Sequence, residues 1–117
     1  MELAEVEVIE HAVAPIVKIR GEVDLSNTAS IRAELIEAVP HGASGIVLDL
    51  TETTYLDSSG VRLLFDLAER LQARRQRLAL VVTEQALVRR VLVLTKLEDA
   101  VPLHTSLEDA LAAIAAP

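Results

Sequence analysis

The chain has 117 residues, no cysteine, a formal charge of −7, and a composition that is 51% hydrophobic but only 2% aromatic. That length fits one domain, and the aliphatic content is enough to close a core without disulfides. The negative charge and the scarcity of stacking rings argue against nucleic acid as a ligand. The missing cysteines remove thiolate metal sites and cysteine nucleophiles and agree with a reducing, cytoplasmic location.

The first segment, Met1-Glu2-Leu3-Ala4-Glu5, is acidic and leads into alternation, so neither a signal peptide nor a membrane span is expected. Residues 3–10 alternate Val6 and Val8 with Glu5, Glu7 and Glu10 and predict a strand. Ala14-Pro15 breaks it, residues 16–20 predict a second strand paired with the first as a hairpin, and Gly21-Glu22-Val23-Asp24 is expected to turn away.

A helix follows over 26–39, with Ile31, Leu35 and Val39 at helical spacing and Pro40-His41-Gly42 as its stop. Residues 46–50 form a nearly continuous apolar run, the pattern of a strand covered on both faces. The β-branched, polar stretch 51–57 reads as a loop. A second helix over 58–75 carries the stripe Val61, Leu64, Phe65, Ala68 and Leu71. Residues 78–82 predict another buried strand. Thr83 is expected to cap a third helix with Glu84 in its first turn and a buried stripe of Leu87, Val88, Val91, Leu92 and Leu94.

A short strand near 101–103 and a last helix opened by Ser106-Leu107-Glu108-Asp109, burying Leu107, Leu111 and Ile114, complete the order β-β-α-β-α-β-α-β-α. Regular alternation after a hairpin implies one α/β domain with a mostly parallel sheet, right-handed crossovers and four helices. In such sheets function gathers at the carboxyl ends of the strands, and Asp57-Ser58-Ser59-Gly60 lies on that edge.

Enzyme chemistry finds little support. A nucleophile elbow needs small residues on both sides of its serine, whereas Leu56 and Asp57 precede Ser58 and only Gly60 trails. His11, His41 and His104 fall in loops or at strand ends, and no metal-binding or phosphate-cradling motif is present. No enzymatic activity, metal or cofactor is therefore expected. Arg70, Arg74, Arg75 and Arg77 read first as solvated cations capping a helix C-terminus, with an acidic docking partner as the sharper alternative.

Asp57 and Ser58 suit a helix N-cap. Gly60 does not suit a first turn, where it costs about 1 kcal/mol against Ala, so it suggests a close approach to the backbone.

Tyr55-Leu56-Asp57-Ser58-Ser59-Gly60-Val61, with Gly21-Glu22-Val23-Asp24 upstream and a final Leu-Glu-Asp-Ala-Leu helix, resembles the anti-sigma factor antagonists of the STAS domain family over nearly the whole chain. Residues 1–117 then correspond to one STAS domain. The resemblance implies a partner-switching protein. Its unphosphorylated form binds an anti-sigma factor that is also a serine kinase and so frees a sigma factor; phosphorylation switches binding off, and a metal-dependent serine phosphatase restores it.

By position the acceptor is Ser58, with Ser59 as the rival, and Asp24, Asp57, Ser58, Ser59, Gly60 and Arg62 are expected at the partner surface. Arg62, one turn beyond Ser58, reads first as a solvated surface arginine, with pairing to a phosphate as the sharper alternative. Two positions depart from the family pattern: Lys96 and Gln76 stand where many relatives have glycine. The alternative within the family is a regulatory or structural subunit of a lipid-transport or signalling complex. A hydrolase using Ser58 is the weaker third reading.

Overall fold

The computed structural model describes residues 4–117; Leu3, the expected start of the first strand, lies outside them. The elements are β1 (Glu5–Ile9), β2 (Ile16–Val23), α1 (Thr28–Ala38), β3 (Gly45–Asp49), β4 (Thr53–Leu56), α2 (Ser58–Ala73), β5 (Arg77–Val81), α3 (Leu87–Leu94), a 3₁₀ turn (Leu97–Asp99), β6 (Leu103–His104) and α4 (Leu107–Ala115). The sheet order is β1-β2-β3-β5-β6, with β4 alongside β2. Only β1 is antiparallel to its neighbour; the other pairings are parallel.

Alternation along the strands divides the core. Ile46, Leu48, Leu78, Leu80 and Val82 face α1, α2 and α3 in the larger cluster. Val47, Ala79 and Val81 face α4, where Ala110 and Ile114 cover them. β3 is therefore buried on both faces, which explains its unbroken apolar run. Beyond α4's reach, the same face of β2 carries Lys18 and Arg20 in a chain of ion pairs with Asp49, Glu52 and Glu7. The Glu7 hydrogen bond is the main reason the Arg20 pKa is raised, against a smaller lowering by burial.

Five expectations need correction. Gly21-Glu22-Val23 does not turn away: β2 continues through it, with Gly21 at φ 95° and a register shift between Gly21 and Glu22. Beyond Lys18, its last partner in β3, the end of β2 pairs with β4, a strand that the sequence presented as loop. β4 has only four residues, too few for alternation to show, and its edge position leaves Thr54 and Tyr55 exposed.

Thr83 is not the cap of α3. The helix starts at Leu87 behind Ala86, with no side-chain cap, and Thr83 and Glu84 lie in the preceding loop. Within α3 only Val88 and Leu92 are fully buried, while Leu87 is 70% and Leu94 80% exposed, because one short helix offers the sheet a single narrow stripe. The last strand is shifted to Leu103–His104.

Candidate functional site

The β2–α1 loop and the β4–α2 junction meet at the carboxyl edge of the sheet. The meeting follows from strand pairing: Val23 lies beside Leu56, and the Asp57 amide donates to the Val23 carbonyl at 3.2 Å. Gly21-Glu22-Val23-Asp24 and Asp57-Ser58-Ser59-Gly60, far apart in sequence, are thereby one structure.

Asp57 ties it together. As N-cap of α2 it accepts the Gly60 amide on Oδ1 at 3.0 Å. The same oxygen takes the Ser59 hydroxyl, and Oδ2 accepts the Leu25 amide of the opposite loop at 3.2 Å. Burial alone would push the Asp57 carboxyl up. The bonds donated by the Ser59 hydroxyl and by the Gly60, Leu25 and Ser59 amides outweigh it and hold the pKa below the ordinary aspartate value.

Asp24 shapes the other loop. Its Oδ1 accepts the Ser26 amide at 2.9 Å and the Ser26 hydroxyl, and its own amide donates to Asn27 Oδ1 at 3.0 Å. Asn27 Nδ2 in turn donates to the Glu22 carbonyl at 2.8 Å. Asn27 was not singled out from sequence, although Asp-x-x-Asn after a strand is a recognisable turn signal. Because its side chain bonds backwards into the loop, it caps nothing in α1, which begins at Thr28 instead of Ser26.

The two serines differ. Ser59 is half-buried and its hydroxyl is donated to Asp57. Ser58, the first residue of α2, is exposed, and among the described residues its hydroxyl has no hydrogen-bond partner. Arg62 is exposed one turn along and forms no ion pair among the described residues.

Gly60 is explained by the fold itself. A Cβ there would stand 2.6 Å from Leu56 Cδ1 and 3.2 Å from Val23 Cγ1, so the close approach comes from the core and not from a ligand.

None of the histidines joins the serines. His11 accepts the Val13 amide, His41 accepts from Arg74, and His104 is in β6 beside Val81. Among the described residues no group of three or more His, Asp or Glu side chains could hold a metal ion, and no helix is long and apolar enough to cross a membrane. Of the arginine cluster, Arg77 does cap a helix C-terminus, but that of α4: it donates to the Ala113 carbonyl at 2.9 Å and to that of Ala116 at 2.6 Å.

Two paired loops, an aspartate-capped helix and a strand that passes from β3 to β4 are the features by which the chain can be compared with others. The STAS domain profile matches residues 4–110. The chain belongs to the STAS domain family.

The anti-sigma factor antagonist from Mycobacterium paratuberculosis superposes on this STAS domain with a TM-score of 0.85 at 27% identity, covering 96% of this chain and 94% of that one. The unphosphorylated anti-sigma factor antagonist SpoIIAA shares the fold at a TM-score of 0.75 and 21% identity, covering 94% and 96% of the two chains. Osmosensory protein A of Mycobacterium tuberculosis is 34% identical over 80 residues, 68% of this chain and 50% of that protein. The chain thus spans about half the length of that curated relative.

Proposed function

We propose that this STAS domain is an anti-sigma factor antagonist that works without enzymatic activity of its own. Its unphosphorylated form binds an anti-sigma factor that is also a serine kinase, and phosphorylation of Ser58 ends the binding; a metal-dependent serine phosphatase resets it. The observation that carries the reading is the contrast between the serines: Ser58 is exposed with an unengaged hydroxyl, while that of Ser59 is held by Asp57. A neighbour of the same fold, SpoIIAA, exists in both unphosphorylated and phosphorylated forms.

The site suits a charge switch. A phosphate adds about −1.5 to −2 charges. At the first residue of α2 it meets free amides and the positive end of the helix dipole, a favourable term of about 0.3 to 1 kcal/mol, so the fold tolerates it. Its effect falls on the partner. A hundredfold loss of affinity needs about 2.7 kcal/mol, and two unit charges about 4 Å apart at an effective dielectric near 20 repel by about 4 kcal/mol.

The test is phosphate transfer from ATP by the purified anti-sigma factor kinases of the source genome, with the modified residue located by mass spectrometry. Ser58 is the expected acceptor. Ser58→Asp is expected to melt within about 0.5 kcal/mol of the parent and to lose kinase binding, while Ser58→Ala binds and cannot be switched. Transfer to Ser59, or unfolding of Ser58→Asp, contradicts the reading. The name of the mycobacterial relative points to an osmotic stimulus as the first signal to examine.

A further inference from the structure

Beside Ser58, α1 and α2 leave a groove that the switch does not explain. Ala29, Arg32 and Ile36 recur on one face of α1, and Ser59, Arg62, Asp66 and Arg70 recur on the facing side of α2. The groove consists of two hollows, about 350 Å³ at the Ser59 end and about 180 Å³ at the Arg70 end. The Arg32–Asp66 ion pair, at 2.7 Å, crosses between them. Buried Leu63 and Leu67 lie along its α2 side.

Three of the 11 cations of a chain with net charge −7 line this groove, against one aspartate. Arg62 and Arg70 form no ion pair among the described residues. At the rim stands Leu25, 78% exposed. Its amide is fixed to Asp57 Oδ2, so this apolar side chain springs from an anchored backbone on the same aspartate that holds the start of α2.

The geometry points to a docking site for an acidic amphipathic helix of the kinase partner, anchored on Leu25 and held by Arg62 and Arg70. The complementarity is one of charge: the groove is basic in an acidic protein, which repels most acidic surfaces elsewhere and admits one here. Residues 59–70 of α2 span about 16 Å, the length of three helical turns, and Arg62 and Arg70 are about 12 Å apart, matching carboxylates two turns apart on the ligand. The partner's identity rests on the reading of Ser58; the groove's preference for an acidic helix does not.

Two arms keep these separate. In the first, the isotopically labelled full chain is titrated with a 15-residue helical peptide carrying leucines at i, i+3 and i+7 and glutamates two turns apart. Amide shifts are expected in residues 25–36 and 59–70. Leu25→Ser and Arg70→Glu, with melts matching the parent, are expected to weaken binding at least tenfold, and added salt to weaken it further. No shifts at millimolar peptide, shifts elsewhere, or unchanged affinity in both variants overturns the groove. So does a dimer of the chain alone that Leu25→Ser dissolves, since the occupant is then a second copy.

In the second arm, the kinase found by phosphate transfer is expected to bind Leu25→Ser at least tenfold more weakly while still modifying Ser58 when saturating. Full binding of that variant, with Ser58→Asp still inactive, removes the kinase as occupant and leaves the switch standing. If no kinase modifies Ser58, the peptide arm alone decides the groove.

Discussion

The two edges of the parallel sheet are finished with opposite chemistry. At the carboxyl edge, where α1 and α2 begin, acids and an amide side chain collect backbone N–H groups: Asp24 takes the Ser26 amide, Asn27 that of Asp24, and Asp57 those of Gly60 and Leu25. At the amino edge, where helices end, side-chain donors collect carbonyls: buried Gln76 donates to Pro40 and Ala43, and Arg77 to Ala113 and Ala116. Each helix follows a strand of the parallel set and runs back against it, so helix N-termini gather at one edge and C-termini at the other, and each edge has one kind of orphan backbone group to satisfy. Polarity alone therefore does not mark function. At the carboxyl edge the Ser58 hydroxyl and Arg62 are left exposed and unpaired among the described residues, and the exposed apolar Leu25 stands beside them.

That comparison can be strained at both edges. The largest effect is expected at the amino edge, where a Cβ on Gly45 would collide with the Arg77 carbonyl of the neighbouring strand. Neither backbone can yield without parting β3 from β5, so Gly45→Ala is expected to cost about 3 kcal/mol in urea unfolding. Gly60→Ala at the carboxyl edge meets side-chain atoms of Leu56 and Val23 instead of backbone, and about 1 to 2 kcal/mol is expected. Equal losses at the two sites would show that the edges are not differently braced.

Asp57→Asn is expected to cost about 1 kcal/mol, because an amide N–H then faces the Leu25 N–H or leaves a cap bond unmade. The sign with pH follows from the lowered folded pKa. The carboxylate's contribution is complete above the unfolded value, about 3.9, and fades as pH falls through the lower folded value. Parent and variant stabilities should therefore converge in acid, and a gap that widens below pH 4 would contradict the assignment.

The smallest effect lies away from both edges. Lys96 sits at φ 62°, ψ 24°, the left-handed region that favours glycine. Lys96→Gly is expected to raise stability by about 0.5 to 1 kcal/mol in thermal melts. Beside Gln76, the other position where the resemblance led us to expect glycine, the positive φ, 59°, falls on Arg75. Gln76 is instead a buried brace between two carbonyls, so glycine at position 76 would remove both bonds.

Much of this was legible in the residues. Periodicity gave the hairpin, β3, β5, α1, α2 and α4, because burial on one or both faces leaves a repeating apolar signature in a long enough segment. Asp57 as a cap was legible from residue type, since its bond to Gly60 is local. β4 and the true start of α3 were not legible, being short and set by pairing partners distant in sequence. Gly60 was legible as an anomaly but not in its cause, since Val23 reaches it only through the β2–β4 pairing. That Leu25 is fastened to Asp57 depends on a hydrogen bond across 32 positions of sequence, whereas the bond that engages the Ser59 hydroxyl is local and was overlooked. Sequence by itself determined the longer elements and the family, because those follow from local spacing and residue type. Only the tertiary structure decided which groups are left over at the edge where the two loops meet, because satisfaction of a donor or acceptor is settled by whatever folding brings beside it.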